Sequence, residues 1–181
     1  LIKIAKWAFQ WKMLFNPDPT KQAIEVIFSH KRQPPSHPDL FFNGHVITKK
    51  PSQKHLGLIF DTRLNFNEHI EFKINKANQG VGIIRSLYNK LPRATLLNIY
   101  KSYVRPNLDY ADVIYDQPHN NSFCQKLESV QYNACLAITG CIKGTSRQKL
   151  YNELGLESLC DRRRYRRLCL FSKIVNRQAP S

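Results

Sequence analysis

The 181-residue sequence lacks most of the local patterns that identify an enzyme or a membrane protein. It has no glycine-rich phosphate loop, no Walker lysine motif, no GxSxG and no HExxH. No run of about 20 apolar residues occurs, so we expect no transmembrane helix, and no signal peptide is visible. These absences leave no local motif for nucleotide hydrolysis, for serine-type or zinc-dependent hydrolysis, or for membrane insertion.

Metal-binding patterns are also missing. The number of cysteines is odd, no CxxC occurs, and no histidine stands near them at the spacing of a zinc finger. The six histidines are scattered, each without neighbouring metal-type ligands. We therefore predict no metal site and reduced, mostly buried thiols in an intracellular protein that is not secreted. The cysteines are Cys124, Cys135, Cys141, Cys160 and Cys169.

Acidic residues are scarce relative to basic ones. The 28 Lys and Arg against 13 Asp and Glu give a formal net charge of +15. Such an excess favours a polyanionic partner, with nucleic acid ahead of an anionic membrane, although a merely solvated basic surface is the alternative. Because 42% of the residues are hydrophobic, the chain can bury a core.

The first third of the sequence reads as short elements separated by turns. Apolar spacing predicts a helix over 3–15, which the prolines that follow it end, and a strand over 22–28. A hairpin is predicted over 40–47, because its Asn43-Gly44 pair suits a type I′ turn.

The stretch 54–61 separates the two parts of the chain. Its leucines and phenylalanine alternate with other residues, which predicts a strand buried on at least one face. Gly57 inside this strand indicates a bulge or the close approach of another backbone.

After residue 66 the apolar period changes to that of helices. Gly80 and Gly82 weaken the first of them and could admit a close neighbour. The pattern predicts an α+β chain, in which a small antiparallel sheet with a hairpin precedes an all-helical region. The predicted helices cover 66–90, 92–104, 107–115, 122–140, 144–155 and 158–176.

Five arginines near the start of the last predicted helix form the strongest binding signal. Cations there oppose the helix dipole and repel one another, an arrangement that phosphates would neutralise. The alternative is a solvated face partly paired with Asp161 or Glu157. Lys49, Lys50 and Lys54 could extend the basic surface. The predicted nucleic-acid-binding residues are Lys54, Lys101, Arg105, Arg162, Arg163, Arg164, Arg166 and Arg167.

Asp109, Asp112 and Asp116 are the most clustered carboxylates. Two-metal phosphoryl transfer needs carboxylates that converge on cations, and Tyr110-Ala111-Asp112 superficially imitates the start of a polymerase YxDD box. The next residue is Val113, however, and the pattern is helical. We therefore predict that these aspartates form a solvated or arginine-paired face.

Several short motifs occur in a specific order along nearly the whole chain. Together they resemble the C-terminal part of a reverse transcriptase, of the jockey-like type found in non-LTR retrotransposons. Any one of them is weak, and the ordered series is what is specific. The motifs are Trp11-Lys12-Met13, Phe15-Asn16-Pro17, EVIFS at 25–29, FNG at 42–44, HLGLIFD at 55–61, IYKSYVRPNLDYAD at 99–112, QYNACLAITG at 131–140 and ELGLESL with RRR at 153–164.

This resemblance implies two domains, the end of a polymerase palm over 1–62 and a helical thumb with a post-thumb region over 63–181. In the family a lysine often follows Asn-Pro-x, where this chain has Pro19. Lys21, two positions later, is therefore a displaced candidate for protonating the pyrophosphate leaving group. His55, Leu56 and Gly57 match the primer grip, whose backbone holds the primer end.

The parent protein implied by the resemblance is an RNA-directed DNA polymerase that uses Mg²⁺. Its metal-binding aspartates would lie upstream of Leu1, so we expect no catalytic residue and no bound cofactor in this chain, which should be inactive alone. The implied partners are an RNA template with a DNA primer, and the upstream palm and fingers of the same polymerase. The implied location is the nucleus, for target-site reverse transcription, or the cytoplasm.

Two other interpretations stay open at this stage. The chain could be a stand-alone basic module that binds RNA or DNA, or a helical adaptor that binds another protein. An adaptor would have no detectable affinity for an RNA–DNA hybrid even at low salt, where phosphate contacts are strongest.

Overall fold

Every strand that the structure describes lies before residue 62, and helices follow. In this computed structural model, residues 1–16, 18, 21, 23–33 and 35–178 are described. The α+β class is confirmed, with short sheets first and helices in the C-terminal half. The chain divides into two compact units, 1–69 and 70–181. The assignment of 1–62 to a palm and 63–181 to a thumb stays a prediction.

The N-terminal helix, α1 (Ile2–Gln10), is shorter than the predicted 3–15. It ends because Lys12 has a φ of 53°, a left-handed conformation that cannot continue a right-handed helix. The apolar spacing that predicted this helix does not correspond to a buried face, because Trp7 is 51% exposed and Trp11 is 65% exposed. Ala8 is the residue of α1 that is buried.

The six described strands form three two-stranded sheets. One pair, Ile24–Glu25 with Thr48–Lys49, is parallel, whereas an antiparallel sheet was predicted. The predicted strand over 22–28 is reduced to 24–25, and Gln22 lies outside the described residues. The strands are β1 (Ile24–Glu25), β2 (Phe41–Phe42), β3 (His45–Val46), β4 (Thr48–Lys49), β5 (Ser52–His55) and β6 (Leu58–Asp61).

The hairpin β2–β3 confirms the prediction made from Asn43-Gly44. The two turn residues have φ angles of 49° and 80°. Both values are positive, as a type I′ turn requires. Phe41 pairs with Val46, and Phe42 pairs with His45 across the turn.

Helices make up the second unit almost entirely. A π-helical turn, Tyr100–Val104, connects two of them. The gap predicted between the helices 92–104 and 107–115 is therefore wrong. Pro106 lies in the first turn of the next helix, where no backbone N–H is required. The helices are α2 (Asn67–Leu87), α3 (Arg93–Ile99), α4 (Arg105–Asp109), α5 (Asp112–Tyr115), α6 (Asn121–Thr139), α7 (Arg147–Leu154) and α8 (Leu159–Val175).

Helix α2 packs closely against the π-helical turn at one of its two glycines. A Cβ at Gly80 would lie 2.8 Å from Cγ2 of Val104, whereas a Cβ at Gly82 would meet nothing within 4 Å. The predicted close approach thus occurs at Gly80. The core around it includes Ala77, Val81, Ile84, Leu96, Tyr100, Leu108, Leu127, Val130, Ala134, Ile138, Leu150 and Leu159.

Local caps define the ends of the helices of the second unit. Asn120 is the N-cap of α6 and accepts a hydrogen bond from the Phe123 N–H at 3.1 Å, so the helix begins one residue before the predicted start at 122. Gly140 ends α6 with a φ of 71°, as predicted. Ser158 caps α8 by accepting from the Asp161 N–H at 3.0 Å.

Candidate nucleic-acid interface

The residues predicted to form a primer grip lie at the tip of a second hairpin. Strands β5 and β6 pair His55 with Leu58, and Leu56 and Gly57 form the two-residue turn between them. The stretch 54–61 is therefore not one strand. Leu56 and Gly57 have φ angles of 47° and 82°, and Gly57 serves the turn because glycine adopts positive φ without steric cost.

The tip of this hairpin faces solvent, while its base is buried. Lys54 and His55 are exposed, and the Leu56 side chain is 77% exposed. Leu58, immediately after the turn, is only 4% exposed. The hairpin thus presents a cation, an imidazole and a backbone turn on an anchored support.

Two polar side chains hold the base of the hairpin in place. The backbone N–H of Ile59 donates to Nδ1 of His69 at 3.2 Å, and His69 is fully buried. The carboxylate of Asp61 accepts from the N–H groups of Arg63, Asn65 and Phe66 at 3.0, 3.1 and 2.7 Å. Neither role was found from the sequence. The role of Asp61 could have been predicted, because an aspartate side chain at the start of a loop commonly accepts a hydrogen bond from the backbone N–H two residues later.

Lys21, the candidate proton donor, forms an ion pair with a nearby aspartate. Its Nζ lies 3.2 Å from a carboxylate oxygen of Asp18, and both side chains are exposed. The neighbouring residues Pro17, Pro19 and Thr20 lie outside the described residues. A role for Lys21 in proton transfer stays a prediction.

The arginine cluster of α8 is neutralised mainly by protein carboxylates. Arg162 Nε lies 2.9 Å from a carboxylate oxygen of Asp109, and Arg166 Nε lies 3.3 Å from one of Asp112. Arg167 pairs with Asp116. The dipole argument identified the need for anions correctly, but the aspartates of the 109–116 segment supply them.

Arg163 is the most deeply enclosed member of this cluster. Its side chain is 3% exposed, and Nη1 lies 3.2 Å from a carboxylate oxygen of Asp116. Nη2 donates to the Leu108 carbonyl at 2.7 Å, and the guanidinium lies over the rings of Tyr115 and Phe123 at 5.3 and 5.4 Å. Arg163 therefore faces the protein interior, which is not a position from which it can reach a phosphate.

Of the two environments predicted for these aspartates, solvated or arginine-paired, the structure shows the second. Asp112 is fully buried and Asp109 is 8% exposed. Burial raises the pKa of Asp112, and the nearby guanidinium of Arg166 opposes that rise. Burial likewise raises the pKa of Tyr115 to about 12. The complementary spacing of the acids at 109, 112 and 116 and the arginines at 162, 163, 166 and 167 was a signal for this network in the sequence.

Other predicted cations differ in how far they reach solvent. Arg164 is exposed, and no ion pair to it is found in the part of the chain that the structure describes. Lys101, in the π-helical turn, is half-buried. Arg105 is 22% exposed, with Nε 3.8 Å from a carboxylate oxygen of Asp109. Arg164 and Lys101 are thus the predicted helical residues best placed to meet a phosphate.

The described residues do not provide a set of ligands for Mg²⁺. No group of three or more His, Cys, Asp or Glu there could hold a metal ion. The aspartates at 109, 112 and 116 do not fit the ion, because each of them is paired with an arginine of α8. The helices that the structure describes also include none long and apolar enough to cross a membrane.

Known proteins similar to this chain share one description. The chain is 25% identical over 162 residues to the probable RNA-directed DNA polymerase from transposon X-element of Drosophila melanogaster, covering 88% of this chain and 17% of that protein. It is 30% identical over 115 residues to the RNA-directed DNA polymerase from mobile element jockey of the same species, covering 61% of this chain and 12% of that protein. The corresponding Drosophila funebris protein is 28% identical over 117 residues.

The chain thus spans less than a fifth of the length of these relatives. No family model matches it, and no solved structure matches it significantly. The resemblance identified from the ordered motifs is confirmed, because the curated homologues of this chain are RNA-directed DNA polymerases of the X-element and jockey retrotransposons.

Proposed function

We propose that this chain is the segment of a mobile-element reverse transcriptase that holds the primer–template duplex, and that other segments of the polymerase catalyse nucleotide addition. The observation that carries the proposal is the similarity to a transposon RNA-directed DNA polymerase across 88% of the chain. The net charge of +15 supports it, because a phosphate backbone attracts such a surface at long range.

The hairpin tip is proposed to contact the primer end. Lys54, His55 and Leu56 are exposed there, and Gly57 is half-buried. Because Gly57 has no Cβ, no side chain of its own separates its backbone from a nucleotide, and Asp61 and His69 hold the supporting strands. The geometry therefore suits contact through the backbone, which is independent of base sequence.

The helical unit is proposed to bind the duplex backbone through cations that reach solvent and are not already paired with a carboxylate. Arg164 and Lys101 lead this set, because the other predicted arginines already have carboxylate partners. A phosphate would have to displace an aspartate to bind one of those, at the cost of a paired charge. Mg²⁺ would be held elsewhere in the polymerase, since the described carboxylates do not fit it. Location in the nucleus or the cytoplasm stays part of the proposal.

Binding of an RNA–DNA hybrid at a series of salt concentrations tests the helical part. We expect Arg164→Ala and Lys101→Ala each to lower the slope of log K against log salt by about one. Lys126→Ala is the matched control, because it removes the same charge from an exposed site on α6 outside the predicted set. If all three substitutions lowered the slope equally, the proposal that Arg164 and Lys101 form a specific binding surface would be contradicted. If the chain did not bind the hybrid even at low salt, the chain would instead be an adaptor that binds another protein.

Photo-crosslinking tests the hairpin. A hybrid with 5-iodo-2′-deoxyuridine at the 3′ end of its DNA primer should crosslink to the tryptic peptide 55–63. Crosslinks confined to residues beyond 70 would contradict the primer contact. Nucleotide incorporation by the purified chain with Mg²⁺ should be absent, and its presence would overturn the assignment of catalysis to other segments.

A further inference from the structure

Two cysteines meet where helix α6 begins beside helix α8. Cys124 is in the first turn of α6, and Cys160 is in the first turn of α8. Two contacts flank them: Glu128 Oε2 accepts from the Leu159 N–H at 3.1 Å, and the Arg163 guanidinium lies 5.4 Å from the Phe123 ring. These contacts join the neighbours of one cysteine to the neighbours of the other, so they bring the thiols to the same junction.

The two thiols differ in access but share an environment. Both line one narrow cavity together with Asp116, Arg163 and Arg167, where the Cys124 thiol also donates a hydrogen bond to the Gln117 carbonyl at 3.8 Å. Cys160 is exposed, whereas Cys124 is half-buried. Burial raises the pKa of Cys124, with the Arg163 guanidinium acting in the opposite direction.

A metal ion is not the favoured ligand of this pair. No group of three or more potential metal ligands occurs among the described residues, and a structural zinc site needs about four. The cavity is also too narrow for an organic ligand. Two thiols that line the same cavity, one of them exposed to solvent, are instead suited to thiol–disulfide exchange.

We propose that Cys124 and Cys160 are a redox-sensitive thiol pair that a low-molecular-weight disulfide converts into an intramolecular disulfide joining α6 to α8. The sulfur of Cys160, as the thiolate, attacks one sulfur of the small disulfide and releases the first small thiolate. Cys124, as the thiolate, then attacks the Cys160 sulfur in the mixed disulfide and releases the second. The two protons lost by the protein thiols go to the two small thiolates, so the protein is oxidised and the small disulfide reduced.

The pairing predicts a specific product. The full chain is incubated with oxidised glutathione, alkylated and digested with trypsin. The main disulfide-linked species should join peptide 102–126, which carries Cys124, to peptide 150–162, which carries Cys160. The mass of the intact chain should fall by that of two hydrogens, and dithiothreitol should restore it.

Two variants and one physical measurement make the result decisive. Cys160→Ser, at an exposed position, should abolish the crosslink, whereas Cys141→Ser should leave it unchanged. The oxidised chain should unfold at a higher temperature than the reduced chain, because the crosslink constrains the unfolded state. A persistent glutathione adduct on Cys160 without resolution, or equal formation of disulfides with Cys141 or Cys169, would overturn the proposal.

Discussion

At the scale of the residue, the arginines of α8 have two different environments although they are neighbours in sequence. Arg163 is buried, with Asp116, the Leu108 carbonyl and two aromatic rings around it. Arg164 points to solvent. A helix places successive side chains about 100° apart, so one of these guanidiniums holds α8 to the 105–116 segment and the other is available to a partner.

Replacement of each arginine by methionine separates these environments. Arg163→Met leaves a buried carboxylate short of one partner and should lower the free energy of unfolding by about 3–5 kcal/mol. Arg164→Met, the matched control, should change it by about 0.5 kcal/mol or less. Urea unfolding followed by circular dichroism measures both. Similar losses for the two variants would show that Arg163 is not a structural anchor.

At the scale of the element, the contact of α2 with the π-helical turn depends on a single missing side chain. Gly80 allows Val104 to approach, while Gly82, two residues later on the same helix, faces open space. The same substitution therefore has opposite expected effects at the two positions. At residue 80 the new methyl group meets the buried Val104 side chain. At residue 82 it meets nothing and only favours the helical conformation.

Alanine at each glycine tests this contact. Gly82→Ala should raise the free energy of unfolding by about 0.5–1 kcal/mol, because alanine has the higher helix propensity. Gly80→Ala should lower it by about 1–3 kcal/mol, because a Cβ 2.8 Å from Val104 overpacks the core. Thermal and urea unfolding both report the difference. Stabilisation by both substitutions would mean that the helices are not in close contact at residue 80.

At the scale of the whole molecule, the stability of this basic protein should depend on pH through one buried and one half-buried carboxyl group. Burial raises the pKa of Glu128 and of Asp112 above their ordinary values. Glu128 accepts hydrogen bonds from the Tyr151 hydroxyl at 2.8 Å and the Leu159 N–H at 3.1 Å, which oppose that rise without cancelling it. Folding therefore favours the protonated form of both carboxyl groups over the charged form.

The direction in which stability changes with pH follows from the difference in proton binding between the folded and unfolded states. A carboxyl whose pKa is raised by folding contributes stability that is present below its unfolded pKa and is lost as the pH rises through its folded value. Glu128→Gln does not titrate and has nearly the same shape. Its stability relative to the unsubstituted chain should therefore increase as the pH rises above the ordinary pKa of a glutamic acid, about 4.3. Denaturant midpoints at several pH values measure this, and a constant or decreasing difference would contradict it.

Local features of the sequence were sufficient for the parts of the fold that local chemistry controls. Asn43-Gly44 predicted its hairpin, Gly140 predicted the end of α6, and the change of period near residue 66 predicted the helical region. The ordered motifs were sufficient for the resemblance to a reverse transcriptase. In each case the signal lies within a few residues or in their linear order, so no knowledge of distant contacts was needed.

Only the tertiary structure decided which residues separated by some 50 positions become neighbours. The sequence showed a basic helix and an acidic segment, but not that Arg163 would be enclosed by Asp116 and Leu108 while Arg164 stays outside. It also did not show that Cys124 meets Cys160, or that Leu56-Gly57 turns the chain and pairs β5 with β6. The physical reason is that burial and charge pairing depend on the packing of several elements at once, whereas propensity and periodicity describe one element at a time.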